Sequence, residues 1–146
     1  MSVSEQFKQM IVKTIPFVDR AGMTVEEMEP GRALGKMPIK LNLNHVQIMY
    51  AGSLFTLAEI TGGAMLAATF DLGKYRLVVK AFNIEFKKPV KTDAVCEIKF
   101  PQEEVDRIKK ILETEGKSDF TVKGVIRDMN GVEAAFSTAV YNAKKV

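Results

Sequence analysis

Residues 51–70 read AGSLFTLAEITGGAMLAATF, an apolar run with a single ionisable residue, Glu59, near its centre. A run of this length without alternation predicts a helix that is apolar on all sides and must be enclosed by the rest of the chain. The flanking pattern is different. Ser2 and Glu5 have capping-box spacing, and Phe7, Met10 and Ile11 share one helical face, so a short amphipathic helix opens the chain and Pro16 stops it. Extended runs follow at 23–29 and 32–39, with Pro30-Gly31 as the turn of a hairpin. Beyond the apolar run, Phe82, Ile84 and Phe86 alternate with Asn83, Glu85 and Lys87, which predicts a half-buried strand over 75–86. Ala94, Cys96, Ile98 and Phe100 alternate over 93–100, so Cys96 reads as core.

Pro101, the acids Glu103 and Glu104, the apolar residues Val105, Ile108, Ile111 and Leu112, and Gly116 as a stop predict a surface helix. Two last strands, 119–127 and 132–141, close on Asn130-Gly131, a strong hairpin signal. This order predicts an α+β fold: antiparallel hairpins curled around one buried helix, in a single domain over residues 1–146.

Composition narrows the function. A 47% hydrophobic and 27% charged chain is that of a soluble globular protein, and nothing resembles a linker or a secretory signal. The net charge of +3 is mild and its basic residues are scattered, which argues against nucleic acid as a partner. One cysteine, Cys96, excludes an internal disulfide and fits a reducing, cytoplasmic location. Residues 51–70 are long enough to span a bilayer, but the central Glu59, Gly62 and Gly63 argue against a membrane. His45 is the only histidine, so no usual metal-ligand set is available. Ser53 lacks the elbow context of a serine hydrolase.

Glu59 is costly to bury without a purpose. The run Asn44-His45-Val46-Gln47-Ile48-Met49-Tyr50-Ala51-Gly52-Ser53, followed by Leu57-Ala58-Glu59, resembles the hotdog-fold acyl-CoA thioesterases, nearest to the phenylacetate-pathway branch. In that family an asparagine precedes by six residues a His-Gly-Gly step that opens the central helix, and an acid follows that histidine by nine. Here the positions are Asn44, Tyr50-Ala51-Gly52 and Glu59, with Tyr50 in place of the histidine and Ala51 in place of the first glycine. Phe86-Lys87-Lys88-Pro89-Val90 matches a Phe-x-x-Pro-Val signature on the following strand.

The resemblance implies hydrolysis of an acyl-CoA thioester, with coenzyme A as part of the substrate and no separate cofactor. Glu59 would act as base or nucleophile, and the N–H groups at Ala51, Gly52 and Ser53 would form the oxyanion site on the positive end of the helix dipole. Gly52 would let the thioester approach the backbone closely. Asn44 would orient the loop or the attacking water, or serve only as a turn residue. Tyr50, Ser53, Phe55, Thr56 and Gly63 would line the substrate site, and Lys87 and Lys88 would meet the phosphates of coenzyme A.

Glu59 follows Gly52 by seven residues, a rise of ~10 Å along one helix. Side-chain reach does not close that gap. Two antiparallel central helices related by a twofold axis would, which predicts a homodimer with composite active sites, or a dimer of such dimers. Gly62 and Gly63 on the Glu59 face would admit a partner helix or substrate, or merely a strand side chain. Two other readings stay open: a hotdog dehydratase or hydratase pairing His45 with Glu59, and a protein that binds acyl thioesters without cleaving them.

Overall fold

The computed structural model describes residues 4–146. Helix α1 (Glu5–Lys13) is capped by Ser4, whose Oγ accepts a hydrogen bond from the Phe7 N–H. The cap is therefore Ser4; Ser2 lies outside the described residues. Helix α1 ends before Pro16, as expected, but Pro16 also opens a second helix, α2 (Pro16–Ala21), which Gly22 closes with a φ of 79°. At a first helical position the missing proline N–H costs nothing, because that group has no partner within a helix.

Strands β1 (Thr24–Glu29) and β2 (Arg32–Met37) form the hairpin turned by Pro30-Gly31. The central helix α3 (Ala51–Thr69) follows, then β3 (Tyr75–Phe86), β4 (Ala94–Lys99), α4 (Gln102–Glu115), β5 (Lys117–Asp128) and β6 (Glu133–Lys145). In the β5–β6 turn only Gly131 is left-handed, at φ 83°, while the Asp128 carboxylate accepts from the N–H groups of Asn130 and Val132. The Asn-Gly pair marked the hairpin, and the asparagine needs no left-handed backbone there.

All six strands form one antiparallel sheet in the order β1-β2-β4-β5-β6-β3. The sheet wraps α3 in the hotdog arrangement. Helix α3 packs mainly over β2, β4 and β1, and less over β5, β3 and β6. Its inward side chains Leu57, Thr61, Ala64 and Met65 are fully buried. By length and composition α3 would suit a membrane span, yet just over half of its most apolar window is buried within the fold. Helix α4 buries Val105, Ile108 and Leu112 and covers one end of the sheet beside an aromatic cluster of Phe70, Phe100, Phe120 and Tyr141.

The expectation that α3 is enclosed on every side needs correction. Ala51, Phe55, Glu59, Gly63 and Ala67, spaced four apart, form a stripe that stays exposed or half-buried. Beside it the inward-facing side of β3 is also incompletely covered, with Val79 and Phe86 exposed and Phe82 and Ile84 half-buried. The cause is topological: β3 crosses to the far edge, pairs only with β6, and extends past the width that one helix can cover.

One buried side chain fixes where α3 begins. Asn42 Nδ2 donates to the carbonyls of Ala21 and Pro38 at 2.9 and 2.7 Å, and its Oδ1 accepts from Ser53 Oγ at 2.8 Å. This ties the end of α2 and the exit from β2 to the first turn of α3. Asn42→Ala would strand a buried hydroxyl and two carbonyls, and urea denaturation should show a loss of about 3 kcal/mol.

Candidate active site

Two clefts open along α3, and they share no lining residue. The first lies at the helix start, with a volume of about 290 Å³, between Asn44, Ile48, Met49, Ala51 and Leu54 on one side and Phe86 to Val90 on the other. The loop before α3 is shaped by Asn44, whose Oδ1 accepts from the N–H groups of Val46 and Ile48 at 2.9 and 3.2 Å. Gln47, at φ 64°, makes the reversal. The Met49 N–H then donates to the Val90 carbonyl at 2.8 Å, so the Pro-Val step after β3 holds the helix entrance in place.

Tyr50 is the N-cap residue of α3 and offers no side-chain cap. The Ser53 and Leu54 N–H groups both turn back to the Tyr50 carbonyl. Those of Ala51 and Gly52 have no partner among the described residues. Ser53 therefore supplies neither a free N–H nor a cleft-lining hydroxyl: it is buried and donates to Asn42. Over Gly52 lies the Tyr50 ring, close enough that any side chain at 52 would collide with it. The Tyr50 ring thus takes the space beside Gly52 in this conformation, and Ala51 rather than Gly52 lines the cleft. Thr56 donates to the Gly52 carbonyl at 2.8 Å and stays half-buried.

Lys87 and Lys88 sit at the same cleft. Both backbone N–H groups donate to the Ala134 carbonyl, which leaves the side chains pointing outward. Lys87 Nζ pairs with the Glu85 carboxylate at 2.8 Å, whereas Lys88 has no ion pair among the described residues.

The second cleft, of about 540 Å³, contains Glu59, with Gly63, Leu66 and Ala67 of α3 on one wall and Leu77, Val79 and Tyr141 on the other. Burial among these apolar groups raises the pKa of the Glu59 carboxyl. Phe55, one turn earlier, packs on Phe82 of β3 with ring centroids 4.5 Å apart. The glycine pair divides its roles. A side chain at Gly62 would reach the Tyr141 hydroxyl, so that glycine admits a strand residue, while Gly63 faces open space. Within one chain the structure brings Asn44, Ala51, Lys87 and Lys88 together and Glu59 with Gly63, but it does not join these two groups. His45 is exposed at the loop tip and lines neither cleft.

Asn42 and Tyr141 were not singled out by sequence. Tyr141 offered only a weak signal, a polar-tipped residue on the core face of the last strand. Among the described residues no three metal-ligating side chains cluster. Cys96 is buried, with its thiol pushed up to about 12 by that burial.

A family model described as a domain of unknown function (DUF4442) matches residues 3–141. No curated protein matches the sequence. The structure is similar to that of a Pseudomonas aeruginosa protein of unknown function described as a probable thioesterase, at 31% identity over 100% of this chain and 99% of that one, with a TM-score of 0.94. A Chlorobaculum tepidum protein of unknown function shares 19% identity over 97% of this chain and 94% of its own, with a TM-score of 0.83. A thioesterase from Haemophilus influenzae shares 12% identity over 99% and 93%, with a TM-score of 0.77. The last two share the fold. None of the three distinguishes the phenylacetate-pathway branch.

Proposed function

The chain belongs to the DUF4442 family, on a hotdog fold shared with thioesterases, and from that premise we propose that it hydrolyses an acyl-CoA thioester to the free acid and coenzyme A. The observation that carries this reading is a lone carboxylate with a raised pKa in a largely apolar cleft, on the same helix whose first residue, Ala51, lines a second cleft. A carboxylate poised in this way takes a proton from water near neutral pH. The Ala51 N–H, backed by the dipole of the α3 helix, stabilises the oxyanion formed at the thioester carbonyl.

The reaction needs both clefts at once, and a second copy of the chain supplies the missing half. Support comes from the uncovered stripe of α3, the inward apolar residues of β3 and the unpaired edge of that strand. An open strand edge flanked by exposed apolar side chains is the kind of surface that pairs with another chain. A twofold axis here would set two α3 helices antiparallel, with Glu59 of one protomer opposite Ala51 of its partner.

Lys88 and Lys87 are the proposed contacts for the coenzyme A phosphates. Lys88→Glu should raise KM for acyl-CoA by about tenfold, as expected for one charge-assisted contact. Lys87→Glu should do less, because Glu85 already engages that ammonium. Neither change should matter for a short thioester without phosphates, and equal effects on both substrates would remove the role. Hydrolysis itself is tested by thiol release from acetyl, hexanoyl, palmitoyl, benzoyl and phenylacetyl coenzyme A.

A further inference from the structure

Tyr141 reaches the Glu59 cleft from the opposite wall. Its ring is held in the core, 5% exposed, and stacked on Phe120 at 6.0 Å between centroids. Only its hydroxyl is left to meet the cleft. The approach to α3 is so close that a Cβ on Gly62 would stand 3.0 Å from Tyr141 Oη. A glycine in mid-helix costs about 1 kcal/mol relative to alanine, and here it makes room for one particular oxygen.

Among the described residues neither the Tyr141 hydroxyl nor the Glu59 carboxylate has a hydrogen-bond partner, and both groups line the same space. Their chemistries are complementary. An ionised carboxylate only accepts, and a phenol donates. Burial and then the nearby Glu59 charge hold the Tyr141 hydroxyl in its protonated form, so it is a donor and not a base. Tyr75 and Arg76 of β3 line the cleft as well, on the strand that also supplies Leu77 and Val79; the Tyr141 hydroxyl is the one that Gly62 admits against α3.

We propose that Tyr141 is a positioning residue for the hydrolysis, its O–H donating to the water that Glu59 activates. The inference rests on the thioesterase reading of the preceding section. The water gives one proton to the Glu59 carboxylate and accepts a hydrogen bond from Tyr141 through one lone pair. Its other lone pair forms the C–O bond at the thioester carbonyl. The tetrahedral oxyanion then collapses, the C–S bond breaks, and the proton held by Glu59 passes to the thiolate. Tyr141 keeps its proton throughout. Its contribution is to aim the water, which would otherwise be held by the carboxylate alone.

The test compares wild type, Tyr141→Phe, Gly62→Ala and the double variant by thiol release from the acyl-CoA panel, with melting temperatures measured alongside. Tyr141→Phe should lower kcat about tenfold, the value of one hydrogen bond in the transition state, and leave KM within about twofold. Gly62→Ala pushes on the hydroxyl and should lower kcat several-fold in wild type but scarcely at all in the Tyr141→Phe background. If Tyr141→Phe does not fold, Gly62→Ala alone decides: a reduced kcat at unchanged KM supports the role, and an unchanged kcat overturns it. A folded Tyr141→Phe with wild-type kcat also overturns it while leaving the role of Glu59 intact. Absence of hydrolysis by wild type across the panel overturns the reading and this inference together.

Discussion

Replacing Glu59 with glutamine is expected to lower kcat/KM for acyl-CoA hydrolysis by about a thousandfold, the span that general-base groups commonly supply. The same change should raise the melting temperature at neutral pH. Both effects have one cause. Burial raises the Glu59 pKa because the apolar wall around it penalises the charged form. Folding therefore favours the protonated acid, and the unfolded chain favours the carboxylate. The stabilising share of this linkage is complete below the ordinary glutamate range and is lost as pH rises through the raised folded value. At neutral pH the ionised side chain is a burden that glutamine removes. In wild type the acidic limb of the rate profile should fall above the ordinary carboxylate range, since the base must first lose its proton. A Glu59→Gln protein that still releases thiol at the wild-type rate would remove Glu59 as the base.

Mixing two inactive variants should restore activity. Ala51→Pro removes the N–H proposed as the oxyanion donor, and proline is well suited to the first position of a helix. The residue before it is compatible too, because Tyr50 lies at φ −59° and ψ 135°, in the extended range that proline requires of its predecessor. Loss of one oxyanion donor costs about a hundredfold or more in kcat. Chains carrying Ala51→Pro have an intact Glu59, and chains carrying Glu59→Gln have intact helix starts. In a mixed dimer one of the two composite sites is whole, so an equal mixture should recover about a quarter of wild-type activity if chains exchange freely. Verified mixed dimers that stay inactive would show that each chain works with its own helix start, and the twofold arrangement proposed above would have to be abandoned.

Periodicity alone located every strand and the central helix, because each is an amphipathic or wholly apolar segment whose burial is set by its own residues. Gly116 and the Asn130-Gly131 turn were readable for a similar local reason, since backbone geometry there depends on one or two residues. Pro16 was legible as the end of α1 but not as the start of α2, because a proline can open a helix as well as close one. Ser53 illustrates the limit at the candidate site. Its position at the helix start suggested a cleft hydroxyl, but its partner is Asn42, eleven residues away and invisible to any local pattern.

Apolar run and alternation were enough to place an isolated acid in a buried helix and to set strands around that helix. Which side of the helix stays open is set by strand topology instead. That depends on β3 crossing to the far edge beside β6, a pairing between residues far apart in the chain. Strand β6, held between β5 and β3, brings Tyr141 to Gly62, while Glu59 stays on the uncovered stripe. Local propensity acts over a few residues, whereas the shape of a cleft is fixed by which distant strands come to share a wall.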